Sequence, residues 1–128
     1  MKILLLAAAL LISGPAVVLD GDTVVVAGVH IRLKGVDAPE LGNPLGEAAR
    51  QVMVDIIGDS ELTCRLTGER TWRREVGYCT TANGIDINQA IIAQGAALAC
   101  LRYDTRYLPF EQAAALAAQP RSPYSRPS

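Results

Sequence analysis

Val17-Val18-Leu19-Asp20-Gly21-Asp22-Thr23-Val24-Val25-Val26-Ala27-Gly28-Val29-His30-Ile31-Arg32-Leu33-Lys34-Gly35-Val36 is the stretch on which the fold turns. Val17 to Leu19 reads as a short strand that reverses at Asp20-Gly21, a pair favoured in two-residue hairpin loops. Thr23 to Ala27 is β-branched and runs into Gly28. Val29 to Val36 then alternates, with Val29, Ile31 and Leu33 on one face and His30, Arg32 and Lys34 on the other. That alternation predicts a half-buried strand with Arg32 directed away from the core. The three segments form a meander joined by tight turns.

Downstream, Leu41 to Leu45 reads as a loop, and Gly46 to Ile57 changes to helical period. Ala48, Ala49, Val52, Met53, Ile56 and Ile57 recur on one helical face. Glu61 to Leu66 and Val76 to Thr81 are the fourth and fifth strands, across an arginine-rich connection from Thr67 to Glu75. Ile87 to Gln94 is a helix stopped by Gly95. A last helix is expected over Pro109 to Ala118, with proline in its first turn. The tail, Pro120 to Ser128, is rich in Pro, Ser and Arg and is expected to be disordered. Five short strands with a helix after the third predict an α+β fold over residues 17–119, a small closed OB-type β-barrel capped by about three helices. Fold alone does not establish function.

The chain has 128 residues, enough for one domain. Half are hydrophobic and a fifth charged, which predicts a folded chain. Met1-Lys2, the apolar run Ile3 to Ile12, and Ser13-Gly14-Pro15-Ala16 follow the order of a secretory signal peptide, too short to span a bilayer. Residues 1–16 are expected to be a signal peptide or N-terminal anchor, cut after Ser13 or Ala16, with a buried strand or helix as the alternative. The mature protein is then secreted or periplasmic, with no stable membrane span, and is expected to be a monomer. The formal net charge of −1 argues against a broad electrostatic nucleic-acid surface, though not against one pocket. Arg65, Arg70, Arg73 and Arg74 make a local basic patch or a solvated hairpin face.

Cys64, Cys79 and Cys100 lack Cys-x-x-Cys spacing, which disfavours zinc or thioredoxin-like chemistry. Cys64 and Cys79 fall on consecutive predicted strands, where they make either a disulfide or two small buried thiols. Cys100 reads as core. His30 is the one histidine and reads as a surface strand residue, which disfavours a histidine-based hydrolase.

The chemistry concentrates in Asp20-Gly21-Asp22-Thr23 and Arg32-Leu33-Lys34-Gly35-Val36-Asp37-Ala38-Pro39-Glu40. Four carboxylates and an arginine share one turn-strand-turn segment. Carboxylates hold a hard cation through oxygen, and a guanidinium grips a phosphate bidentately. Together they suggest metal-assisted chemistry on a phosphodiester. Ordinary turn chemistry around Asp-Gly and Ala-Pro is the competing account.

These two blocks, in this order, resemble the staphylococcal nuclease (thermonuclease-like) family. The likeness continues at Gly46-Glu47-Ala48-Ala49, at Trp72-Arg73-Arg74-Glu75-Val76-Gly77-Tyr78-Cys79, and from Asp86-Ile87-Asn88 to Gln94-Gly95. The resemblance implies a calcium site made by Asp22, Asp37 and the main-chain oxygen of Ala38, with Asp20 outside it. It implies Glu40 as general base, Arg32 and Arg74 as phosphate clamps, and Trp72 and Tyr103 as aromatic residues near the nucleotide. In the family's aromatic-Gly-Arg block the glycine is here Arg73. The implied reaction is calcium-dependent hydrolysis of DNA or RNA, breaking the bond to the 5′ oxygen and leaving 3′-phosphate ends. Two alternatives differ in class: an inactive OB-type module that binds single-stranded nucleic acid, and an envelope protein stabilised by calcium.

Overall fold

The computed structural model describes residues 10–127. Its strands are β1 (Leu10–Gly14), β2 (Ala16–Asp20), β3 (Thr23–Val26), β4 (Val29–Leu33), β5 (Val36–Asp37), β6 (Leu62–Thr71), β7 (Arg74–Thr81) and β8 (Leu98–Ala99). The helices are α1 (Pro44–Ile57), α2 (Ile87–Ala93) and α3 (Ala113–Ala118), with single 3₁₀ turns at Leu108–Phe110 and Pro123–Ser125. The expected meander is present as β2-β3-β4, all antiparallel.

The predicted closed five-stranded barrel is corrected to an open, mixed six-stranded sheet in the order β1-β6-β7-β4-β3-β2. A separate pair, β5-β8, lies beside it. Closure fails because the alternating run Val29 to Val36 is two strands rather than one. Gly35, with a left-handed φ of 81°, ends the first line, and β5 leaves to pair with β8. Only glycine takes that conformation readily, and an added Cβ would sit 2.8 Å from the Tyr107 ring. β4 and β7 run parallel, and among the described residues the sheet keeps two free edges.

The core lies between the sheet and helices α1 and α2, where Val24, Ile31, Leu33, Met53, Leu62 and Ile91 are fully buried. α1 begins where Asn43 Oδ1 accepts the Gly46 N–H at 2.9 Å, with Pro44 in the first turn, and stops at Gly58. Ala49, Met53 and Ile57 fill its buried face, one helical stripe against the sheet. Asn88 on α2 is wholly buried, yet its amide is satisfied. It accepts from the Cys79 N–H at 3.2 Å and donates to the Lys34 and Gly77 carbonyls at 3.0 and 3.2 Å. These bonds clamp β7 to the end of β4.

The arginine-rich connection Thr67 to Glu75 is a hairpin: β6 and β7 continue to a two-residue turn at Trp72-Arg73. Two more expectations change. The single helix over Pro109 to Ala118 breaks at Glu111, which is extended (ψ 138°), into a 3₁₀ turn and α3. The expected disordered tail instead packs back onto the domain over residues 120–127. Arg121 forks onto Glu111 at 2.6 and 3.0 Å and donates to the Ala99 carbonyl at 2.6 Å, and Ser125 is fully buried.

Cys64 and Cys79 stand opposite each other on β6 and β7 and form a disulfide with a separation of 15 residues. A loop of that size corresponds to about 3 kcal/mol of stabilisation. Cys100 is a buried free thiol and His30 is exposed, as expected. The expected leader falls partly on residues 1–9, outside the described residues. Its second half is β1, paired with β6 from Leu10↔Leu66 to Gly14↔Leu62. Leu10 and Leu11 remain 60% and 61% exposed, and only Ile12 of β1 packs partly against the core.

Candidate active site

Asp20-Gly21-Asp22-Thr23 makes the turn between β2 and β3 and is pressed onto neighbours from two other elements. A Cβ on Gly21 would lie 2.7 Å from that of Ala38 and 3.0 Å from that of Ala49. Glycine is what lets this turn reach both the end of β5 and α1. Asp20 Oδ1 accepts the Asp22 N–H at 3.0 Å, and the Asp22 carbonyl accepts the Leu33 N–H at 2.9 Å. Asp22 is thereby turned inward.

Both oxygens of Asp22 are engaged. Oδ2 accepts the Ala38 N–H at 3.0 Å and lies 3.4 Å from Arg32 Nη2. Oδ1 accepts the Thr23 hydroxyl at 3.2 Å. Thr23 Oγ1 in turn accepts from Arg74 Nη1 at 3.1 Å. Arg32 from β4 and Arg74 from β7 therefore reach two adjacent residues, Asp22 and Thr23. Burial pushes the Asp22 acid up to about 7, with Arg32 opposing and Asp20 reinforcing the rise. A buried acid in that state takes up positive charge readily near neutral pH.

Arg32 also donates to the Leu33 carbonyl at 2.9 Å and borders a cavity of about 160 Å³. Lys34, Arg70, Tyr103 and Tyr124 line the same space. The Tyr103 and Tyr124 rings lie 5.7 Å apart, tilted at 53°. Tyr103 thus stands close to Arg32. Trp72 is elsewhere, at the tip of the β6-β7 hairpin, 88% exposed and with a left-handed φ of 59°.

Asp37 is half-buried on β5, and its Oδ2 accepts hydroxyls from Ser125 at 2.5 Å and Ser122 at 3.3 Å. Burial raises the Cys100 thiol, with Arg32 opposing and Asp37 reinforcing the rise. Ala38 is buried, between Asp37 and the N–H bond to Asp22. Glu40 is exposed, and its carbonyl is fixed under α1: a Cβ on Gly46 would sit 1.8 Å from that oxygen.

No group of three or more Asp, Glu, His or Cys side chains converges as a metal site among the described residues. A site of two carboxylates and a main-chain oxygen does not require one, and hard cations accept carbonyl and water ligands. The inward-turned, charge-demanding Asp22, joined to the Asp37-Ala38 backbone, is compatible with such a cation.

Comparison with known proteins identifies the family. The model for the staphylococcal nuclease homologue family matches residues 30–122. The succinoglycan biosynthesis protein ExoI of Rhizobium meliloti (strain 1021) is 33% identical over 98 residues, covering 68% of this chain and 51% of the relative. An "uncharacterized endonuclease" of Escherichia coli O157:H7 is 30% identical over 92 residues, covering 69% of this chain and 60% of the relative. The "probable staphylococcal-like nuclease CAN1" of Oryza sativa subsp. japonica is 30% identical over 88 residues, covering 67% of this chain and 26% of the relative. The chain belongs to the staphylococcal nuclease family. It spans from about a quarter to three fifths of the length of these relatives.

Four residues at or beside the site escape a reading by motif: Thr23 as the bridge between Arg74 and Asp22, Ser122 and Ser125 on Asp37, and Tyr124 beside Tyr103. Thr23 lies inside the acidic turn block and was findable there. The three tail residues carry no local signal.

Proposed function

We propose that the protein is an exported nuclease that hydrolyses phosphodiester bonds of DNA or RNA with the help of a divalent cation, calcium by family resemblance. The observation that carries this reading is the approach of Arg32 to Asp22 and of Arg74 to the adjoining Thr23, with Arg32 also bordering a cavity lined by Tyr103 and Tyr124. Two guanidinium groups so placed present a set of donors matched to phosphate oxygens.

Asp22, Asp37 and the Ala38 carbonyl are the proposed cation ligands, with Asp20 holding the turn behind them. When bound there, a cation supplies Lewis acidity and a template for the phosphate. Arg32 and Arg74 bind the scissile phosphate and stabilise charge that develops on its oxygens in the five-coordinate transition state. Glu40, an exposed carboxylate two residues past Ala38, accepts the proton of the attacking water. The bond to the 5′ oxygen breaks opposite that attack, leaving a 3′-phosphate. Tyr103 and Trp72 are the proposed contacts for bases, Tyr103 within the cavity and Trp72 along the emerging strand.

Export is supported by the charged-apolar-small order of the first residues and by the disulfide, which belongs to oxidising compartments. The exposed β1 adds little to the core, so cleavage near Ser13 or Ala16 leaves the buried contacts almost whole. N-terminal sequencing of the protein recovered outside the cytoplasm tests this.

Digestion of DNA and RNA by the purified protein, with Ca²⁺ or with chelator, tests the activity. Cation-dependent cleavage that disappears in Glu40→Gln supports the proposal. Retention of nucleic acid without cleavage turns it into a binding module.

A further inference from the structure

The family match ends at Ser122, yet the turn that follows reaches back into the site. We propose that Ser125, assisted by Ser122, is a positioning residue for the Asp37 carboxylate, which makes the C-terminal turn a working part of the cation site. The inference rests on the reading of Asp37 as a ligand.

Ser125 is completely buried, and its hydroxyl donates to Asp37 Oδ2 at 2.5 Å, across 88 residues of sequence. Ser122 donates to the same oxygen at 3.3 Å. Three sets of bonds anchor this turn independently of Asp37. The Ser125 carbonyl accepts the N–H groups of Leu101 and Arg102 at 2.9 and 3.3 Å. The Arg102 guanidinium donates to the carbonyls of Tyr124 and Pro123 at 2.8 and 3.3 Å. Arg121 is held by Glu111 and the Ala99 carbonyl. The hydroxyl is thus fixed in space before it meets the carboxylate.

Two hydroxyls on Oδ2 hold the carboxyl plane in one orientation, and among the described residues Oδ1 takes no hydrogen bond. A carboxylate ordered in this way loses less rotational freedom on binding a cation. Groups that orient metal ligands in this manner change affinity by about 10- to 100-fold when removed. An alternative role for the same contacts, a tail that competes with the cation for Asp37, has the opposite sign.

Calorimetric titration of the full chain with Ca²⁺ separates the cases, using Ser125→Ala, Ser122→Ala and Asp37→Asn, each checked for native circular dichroism. Ser125→Ala is expected to weaken Ca²⁺ binding about 10- to 100-fold, and Ser122→Ala by a smaller factor. Ser122 is only partly buried, so its variant carries the test if Ser125→Ala does not fold. Unchanged or tighter binding in the folded serine variants, with binding lost in Asp37→Asn, overturns the inference alone. Unchanged binding in Asp37→Asn overturns the assignment of Asp37 as a ligand, and the inference with it.

Discussion

Asp22 Oδ2 accepts the main-chain N–H of Ala38 at 3.0 Å, which ties the β2-β3 turn to the residue following Asp37. Two acidic segments separated in sequence are joined by a bond from a main-chain N–H to a side-chain carboxylate, which couples their positions. The charge state of that link depends on Asp22.

Burial raises the Asp22 acid to about 7 from its ordinary 3.8. A raised acid favours the folded state while protonated: its contribution is fully present below pH 3.8 and is lost as pH rises through about 7. A cation must displace the same proton. Ca²⁺ affinity is therefore expected to rise by up to about tenfold per pH unit toward neutrality and to level off above the Asp22 transition. Calorimetry at a series of pH values checks this, and a flat profile from pH 5 to 8 removes Asp22 from the site.

Gly46 lies against the Glu40 carbonyl, with no room for a methyl group. In Gly46→Ala the main chain at Glu40 must shift while the buried face of α1 stays in place. Misplacement of a catalytic group by about 1 Å costs on the order of 100-fold in rate. We expect kcat to fall by that order in samples whose circular dichroism is native. Wild-type kcat in such samples would separate Glu40 from the chemistry.

Asn88→Ala strands the Cys79 N–H and the Lys34 carbonyl inside the fold. Each buried group left without a partner costs about 1–3 kcal/mol, so a loss of roughly 3 kcal/mol is expected in urea unfolding. A loss below about 1 kcal/mol would mean that water satisfies both groups.

What the sequence made legible was what local pattern controls. The alternation of Val29, Ile31 and Leu33 placed β4, the period of Ala49, Met53 and Ile57 placed α1, and Asp20-Gly21 marked the first reversal. Gly35 was visible as a glycine, but nothing local distinguished its strand-ending φ from an ordinary position. β8, two residues long, is too short to show a period. β1 was concealed in an apolar run that reads equally as a leader. The tail was misread because its order depends on Arg121 meeting Glu111 and Ser125 meeting Asp37, contacts that composition does not encode. In the site, the acidic turns and Arg32 declared themselves by residue type. The approach of Arg74 to Thr23, across 51 residues, required the hairpin in three dimensions.

The central claim is that Arg32 grips the scissile phosphate rather than merely neutralising Asp22. Lysine at this position keeps a positive charge for Asp22 but lacks the two-pronged fork. The direct measurement is the single-turnover cleavage rate of a short DNA by Arg32→Lys at saturating substrate and Ca²⁺, alongside its thermal midpoint. The account predicts a rate about 100- to 1,000-fold lower with the midpoint nearly unchanged. A rate within about twofold of wild type would contradict it and leave Arg32 as a partner of Asp22 alone.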